Sequence, residues 1–89
     1  MAWKIEYAET AKKQLRKLDK LAARRILDFM DERISGEHNP RDTGKALTGN
    51  LLGEFWRYRI GDFRIICDIQ DAKLCVLVIQ IGNRREVYR

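Results

Sequence analysis

Residues 55–66 read FWRYRIGDFRII, in which a Gly-Asp pair separates two runs of aromatic, β-branched and arginine residues. The two runs, Glu54–Ile60 and Phe63–Ile69, have the composition of β-strands. Gly61-Asp62 between them is typical of the two-residue turn of a β-hairpin. We therefore predict an antiparallel hairpin here and interpret the rest of the chain around it.

The predicted turn also determines which hairpin residues face each other. It places Arg59 opposite Arg64 and Arg57 opposite Ile66. Since side chains alternate along a strand, the three arginines share the face opposite to that of Tyr58. Like charges directly opposite each other cost stability, so this pattern favours a site for polyphosphate or RNA. The alternative is three solvated arginines whose stems cover the sheet.

The residues before the hairpin divide into one strand and two helices. Alternation of apolar and charged residues over Ala2–Tyr7 predicts the strand, and apolar residues three or four apart predict a helix from Glu9. Asp19 is a typical N-terminal cap, so we expect a second helix to begin there. It should end near Ser35-Gly36, where glycine favours a left-handed cap.

The remaining segments complete the predicted fold. Glu37–Gly53 contains the single proline and several turn formers, so we predict a long loop with one short turn at Lys45–Leu47. Lys73–Ile81 is apolar at nearly every position, which is typical of a central strand covered on both faces, and Glu86–Tyr88 is a last short strand. This order predicts an α+β fold, with a two-helix hairpin on a mainly antiparallel four- or five-stranded sheet.

Length and charge limit the classes of protein to consider. The 89 residues, 45% hydrophobic and 35% charged, predict a single domain over residues 1–89. The net charge of +5 favours a polyanionic partner. No apolar run reaches the length of a membrane span, and the first residues lack the pattern of a signal peptide. We therefore expect a cytoplasmic protein without a membrane partner.

The sequence offers little for a metal or a cofactor. Cys67 and Cys75 lie among aliphatic residues, so we interpret them as buried free thiols and expect neither a disulfide nor a zinc site. We interpret His38 as an exposed loop residue rather than a general base. Trp3 and Trp56 are interpreted as packing residues. We find no metal-ligand spacing and no nucleotide-binding motif, and we expect no cofactor.

Two further basic segments are candidates for nucleic-acid contacts. Arg84, Arg85 and Tyr88 follow directly after the predicted central strand. The two guanidinium groups can bind phosphate, and the tyrosine ring can stack on a base. The alternative is a frayed basic terminus. The first helix carries a basic face that is either solvated or in contact with ribosomal RNA. Its residues include Lys12, Lys13, Arg16, Lys17 and Lys20.

The combination of these features resembles the RelE branch of the RelE/ParE toxin superfamily, the toxic halves of bacterial toxin–antitoxin pairs. The resemblance spans essentially the whole chain and rests mainly on Phe55–Ile66 and Gly82–Tyr88, with support from the helix Ala11–Leu18. It implies a RelE-like microbial RNase fold. It also implies a metal-independent endonuclease that enters the ribosomal A site and cuts the mRNA codon there.

The same resemblance implies roles for individual residues. Arg57 and Arg59 would contact the phosphate and help to activate the 2′-hydroxyl that attacks it. Arg64 would stabilise the charge of the phosphorane, Arg84 would stabilise charge and protonate the leaving group, and Tyr88 would stack on the attacking nucleotide. The RNA-binding residues would be Arg57, Arg59, Arg85, Lys12, Lys13, Arg16 and Lys17.

The identity of the general base follows from neither the residues nor the resemblance. The best-known member of the family has lysines where Arg57 and Arg59 stand, and an arginine guanidinium stays protonated at neutral pH. We therefore favour catalysis that is mainly electrostatic and positional. The alternative is that a carboxylate such as Glu86, or a group of the rRNA, takes the proton.

Partners and competing functions also follow from the resemblance. It implies a cognate acidic, partly disordered RelB-like antitoxin that folds along the helices and the sheet edge. The other partners would be the 70S ribosome and its mRNA, and operator DNA only through the antitoxin complex. The competing functions are a ParE-like inhibitor of DNA gyrase with the same fold, and a basic RNA-binding module without activity.

Overall fold

A five-stranded mixed sheet with two helices on one face forms the part of the chain that the computed structural model describes, residues 2–47 and 55–83. In chain order the elements are β1 (Lys4–Tyr7), α1 (Glu9–Lys17), α2 (Lys20–Phe29), a π-helical turn (Met30–Ile34), β2 (Lys45–Ala46), β3 (Phe55–Ile60), β4 (Phe63–Gln70), a 3₁₀ turn (Asp71–Lys73) and β5 (Cys75–Asn83). The strand order is β1-β5-β4-β3-β2, with β1 parallel to β5 and all other neighbours antiparallel. The predicted α+β class and mainly antiparallel sheet are confirmed.

The hairpin of β3 and β4 has the predicted turn and register. Gly61 has a φ of +57°, a left-handed conformation that a two-residue turn needs and that glycine adopts without steric cost. Arg59 lies opposite Arg64, and Arg57 lies opposite Ile66. This register determines on which face of the sheet each residue of β3 and β4 lies.

The two helices also begin and end close to the predicted residues. The Asp19 carboxylate accepts a hydrogen bond of 2.8 Å from the backbone N–H of Ala22, and so caps α2. α2 continues into the π-helical turn, and Gly36 follows it with a φ of +89°. Among the described residues, no helix is long and apolar enough to cross a membrane.

The core lies between the helices and one face of the sheet, with Tyr58 at its centre. The Tyr58 ring is fully buried and packs at 60° against Phe29, with 5.9 Å between the ring centroids. Its hydroxyl donates a hydrogen bond of 2.5 Å to the carbonyl of Pro40. The other buried members of the core are Ala11, Ile26, Met30, Ile34, Ile60, Ile65, Cys67, Ile69, Val76, Val78 and Ile81.

Two predictions about segments in the N-terminal half need correction. The first strand begins at Lys4 rather than Ala2, because Trp3 exchanges backbone hydrogen bonds of 2.6 and 2.8 Å with Gly36 instead. The turn predicted at Lys45–Leu47 is wrong. This segment forms β2 and pairs with β3 at the edge of the sheet.

The last part of the sheet also differs from the prediction. β5 begins at Cys75 because Leu74 has a left-handed φ of +49° after the 3₁₀ turn, which interrupts the strand. β4, not β5, is the middle strand, and among the described residues helices cover one face of the sheet. The strand predicted at Glu86–Tyr88 lies outside the described residues.

Buried hydroxyl and thiol groups predict how stability should respond to alkaline pH. Burial raises the pKa of Tyr7 to about 12, and it also raises the pKa of Tyr58 and of Cys67. The ordinary values are about 10 for tyrosine and about 8.5 for cysteine, so the unfolded chain loses these protons first. The free energy of unfolding should therefore be constant near neutral pH and fall above about pH 9.

This prediction is measured by urea denaturation at a series of pH values. Tyr7→Phe should make the fall between about pH 10 and pH 12 shallower, because one of the titrating groups is gone. A free energy of unfolding that stays constant up to pH 12 would contradict the assignment of these groups as buried in their neutral forms.

Candidate functional site

A cluster of four cations lies on the sheet face opposite the helices, and we call it the cationic face. It consists of Lys45 on β2, Arg57 and Arg59 on β3, and Arg64 on β4. Arg59 is directly opposite Arg64, and Lys45 is directly opposite Arg57. The neighbouring residues of β3, Tyr58 and Ile60, are buried in the core, so alternation sends the arginines to the other side.

The charges of the cationic face are accessible and close to one another. Lys45 and Arg59 are exposed, while Arg57 and Arg64 are half-buried. None of the ion pairs between described residues involves Lys45, Arg57 or Arg59. Like charges directly opposite each other in a sheet are destabilising, so the arrangement suits a ligand that brings several negative charges.

The strand beside Arg64 carries a glycine at the facing position. Gly82 of β5 pairs with Arg64 and has no side chain above the sheet. The register between β4 and β5 shifts after Ile66, and the side chain of Gln14 accepts a hydrogen bond of 2.6 Å from the backbone N–H of Ile81 next to this irregularity. A bulge of this kind increases local twist and re-aims the residues that follow it.

Lys45 was missed by the analysis of the sequence. A two-residue strand inside a loop has no periodicity, and its pairing depends on contacts that come from elsewhere in the chain. Trp56 donates a hydrogen bond of 2.7 Å from its indole N–H to the carbonyl of Thr43, and Tyr58 donates to Pro40. These two β3 side chains fasten the loop beside the sheet.

A salt bridge also holds this loop, between the anchored residues Pro40 and Thr43, and the sequence pattern did not predict it. Both terminal nitrogens of Arg41 donate to the Asp71 carboxylate, at 2.8 and 2.9 Å. This hydrogen bonding lowers the pKa of the Asp71 carboxyl. Thirty residues separate the two partners, so no local pattern in the sequence marks the pair.

The basic residues of α1 do not belong to the cationic face. They lie on the helix layer, on the other side of the sheet, and Lys12 is 3.6 Å from Glu9. Lys17 lines a groove of about 560 Å³ together with Gly82 and Asn83, at the end of β5. The four residues predicted here, Lys12, Lys13, Arg16 and Lys17, are therefore not brought together with the arginines.

The remaining predicted residues are placed as follows. Cys67 and Cys75 are buried free thiols, as predicted. His38 is exposed, and Trp3 and Trp56 are half-buried against the core, as predicted. Within residues 2–47 and 55–83, no group of three or more His, Cys, Asp or Glu side chains is arranged to hold a metal ion. Arg84, Arg85, Glu86 and Tyr88 lie outside the described residues.

Comparison with known proteins identifies the family. Residues 5–88 match the family described as the ParE toxin of type II toxin–antitoxin systems, parDE. The chain belongs to the RelE/ParE superfamily of type II toxins. It is the toxin of a type II toxin–antitoxin system.

Individual relatives agree with this family. Toxin RelG from Mycobacterium tuberculosis is 28% identical over 89 residues, which cover 100% of this chain and 99% of the relative. The fold matches the RelBE2 toxin–antitoxin complex from M. tuberculosis with a TM-score of 0.84 and 23% identity, over 94% of this chain and 93% of the other. It matches the isolated E. coli RelE toxin with a TM-score of 0.63 and 22% identity, over 98% and 92%.

Proposed function

We propose that this RelE/ParE toxin is a ribosome-dependent mRNA endonuclease that cuts codons in the ribosomal A site and so inhibits translation. The observation that carries the proposal is the direct pairing of Arg59 with Arg64 on an accessible sheet face. Two neighbouring arginines offer planar forks that match the oxygens of a scissile phosphate.

In the proposed reaction, the 2′-hydroxyl of one nucleotide attacks the adjacent phosphate. The O2′–P bond forms and the P–O5′ bond breaks, which leaves a 2′,3′-cyclic phosphate and a 5′-hydroxyl. Arg57 and Arg59 hold the phosphate and favour ionisation of the 2′-hydroxyl, and Arg64 stabilises the additional negative charge of the phosphorane. Catalysis of this kind is metal-independent, since the guanidinium groups provide the positive charge.

Three residues outside the described part of the chain complete this proposal. Arg84 stabilises charge and protonates the departing 5′-oxygen, and Tyr88 stacks on the attacking nucleotide. Arg85 adds a backbone contact. The chain continues into this segment directly after Asn83, beside the strand position that faces Arg64. The proton of the 2′-hydroxyl passes to solvent, to a ribosomal group or to Glu86, because the arginines cannot accept it.

A second candidate function is inhibition of DNA gyrase. It is favoured by the match to the family described as ParE toxins. Such an inhibitor would use the same fold without needing the cationic face. The α1 residues Lys12, Lys13, Arg16 and Lys17 would serve as ribosomal RNA contacts in the first candidate and as solvated residues in the second.

The two candidates are separated by primer extension on an mRNA translated in a purified system, with and without ribosomes. Cuts inside A-site codons that appear only with ribosomes are the expected result. A parallel reaction measures DNA breaks by gyrase. Intact message combined with gyrase-dependent breaks would replace the proposal with the second function, and intact message with salt-sensitive ribosome binding alone would indicate an inactive RNA-binding module.

We also propose an acidic RelB-like antitoxin as the cognate partner, with operator DNA bound only through the antitoxin complex, in the cytoplasm. The net charge of +5 favours an acidic partner. On α2, Leu21 is 81% exposed and Leu27 is 38% exposed. Together with Lys20, Ala23 and Arg24 they line a shallow hollow of about 430 Å³. Apolar side chains flanked by cations suit the apolar side of an acidic amphipathic segment.

Leu21→Asp should weaken antitoxin binding about 10- to 100-fold, because burial of one leucine contributes about 1.5–3 kcal/mol. The partner used is the small acidic protein that copurifies with the toxin from cells expressing both genes, and the measurement is titration calorimetry. Thr10→Asp is the control, since it adds the same charge at an exposed position of α1. Equal affinities for the two variants would place the antitoxin elsewhere.

A further inference from the structure

The edge of the sheet beside the arginines is held in place by two side-chain hydrogen bonds and one close backbone approach. Segment 40–46 is fastened to β3 by the hydroxyl of Tyr58 on Pro40 and by the indole N–H of Trp56 on Thr43. Gly44 lies against β3 with a φ of +86°, and a Cβ atom there would come within 2.3 Å of the Arg57 carbonyl oxygen. Only glycine allows this approach.

These contacts fix the position of Lys45. It is exposed and lies directly opposite Arg57, where β2 pairs with β3. Cross-strand neighbours have Cβ atoms about 4.5–5.5 Å apart, so the two cations repel each other. An exposed lysine on an edge strand also blocks pairing with other sheets. That simpler role does not require the lysine to be fixed opposite an arginine.

The cations of this face form two rows across the strands. Arg59 and Arg64 make the first row, and Lys45 and Arg57 make the second. The rows are two residues apart along β3, a separation of about 7 Å. A single RNA strand presents its phosphates in series, so a strand whose cleaved phosphate contacts Arg57, Arg59 and Arg64 can bring the next phosphate to Lys45, at the outer end of the second row.

We propose that Lys45 is a fourth substrate-binding cation, which contacts the phosphate next to the one that is cleaved. Trp56 and Gly44 are positioning residues that hold it there. The inference rests on the proposed function, and it extends the substrate path from β4 across β3 to the sheet edge at β2. Lys45 acts on binding, while Arg59 and Arg64 act on the reacting phosphate.

The test measures binding to ribosomes programmed with an mRNA whose attacking A-site nucleotide is 2′-deoxy, so that no cleavage occurs. Lys45→Gln should weaken binding about tenfold at low salt. It should also reduce the slope of log affinity against log salt by about 0.7, the value for one lost phosphate contact on a single strand. Lys45→Arg should retain both, and Lys73→Gln, an exposed lysine in the 3₁₀ turn, is the matched control.

A double-mutant cycle tests the positioning role. Trp56→Phe removes the N–H that holds Thr43 and should weaken binding several-fold in the wild-type background. It should have no further effect on binding in the Lys45→Gln background, because the cation that it positions is gone. Equal effects in the two backgrounds would overturn the positioning role of Trp56.

Cleavage of ordinary mRNA by the wild-type protein is measured in parallel and tests the proposed function separately. If the message is cut but Lys45→Gln binds like Lys73→Gln, the inference about Lys45 is overturned and the nuclease stands. If the message is not cut but the salt slope falls as expected, the nuclease is overturned and Lys45 remains an RNA contact. Failure of the wild-type protein to bind would overturn both.

Discussion

Replacing Arg64 with alanine should slow cleavage of A-site codons at least about 100-fold, while the protein stays folded. Arg64 lies opposite Arg59 and beside Gly82, and under the proposed function its guanidinium stabilises the charge of the phosphorane. Removing one preorganised donor from such a site typically lowers the rate by about 10²- to 10³-fold. The loss should appear in kcat, measured by single-turnover cleavage on programmed ribosomes.

Two companion variants give this experiment its controls. Arg64→Lys should cleave faster than Arg64→Ala but more slowly than the wild-type protein. An ammonium group keeps the charge but cannot form bidentate hydrogen bonds with the phosphate. Arg25→Ala, at an exposed position of α2, should leave kcat unchanged. If Arg64→Ala remains toxic in cells and gyrase-dependent DNA breaks persist, the nuclease proposal is wrong and the gyrase inhibitor takes its place.

The parts of the fold that sequence predicted are those whose cause is local. Gly61-Asp62 determines a turn, and the turn determines the register that sets Arg59 opposite Arg64. Asp19 caps the helix that follows it by a bond to a residue three positions later. Each of these features involves residues within a few positions of each other, so their spacing in the chain carries the information.

The parts that sequence did not predict depend on contacts between distant residues. Lys45 reaches the cationic face through the pairing of β2 with β3, beside which Trp56 holds Thr43, thirteen residues earlier in the chain. The parallel pairing of β1 with β5 joins Lys4 to Cys75. The candidate site was therefore found in part. Its arginines were predicted from the hairpin, while the lysine that borders them needed the structure.

Tyr58→Ala should lower the free energy of unfolding by about 3–5 kcal/mol, measured by urea denaturation at neutral pH. The side chain is fully buried and packs against Phe29 at the centre of the core, so its removal leaves a cavity that the helices cannot fill. The total stability of small domains is about 5–15 kcal/mol, so this single change removes a large part of it.

Tyr58→Phe separates the packing of the ring from the hydrogen bond of its hydroxyl. It keeps the ring but leaves the Pro40 carbonyl without its donor, which costs about 1–2 kcal/mol. Tyr7→Phe is the matched control, because Tyr7 is half-buried and its hydroxyl forms no hydrogen bond with another described residue. A larger loss for Tyr58→Phe than for Tyr7→Phe would show that the fastened loop contributes to stability. Equal losses would mean that segment 40–46 keeps its place beside β3 without the Tyr58 hydroxyl, leaving Trp56 and Gly44 to position Lys45.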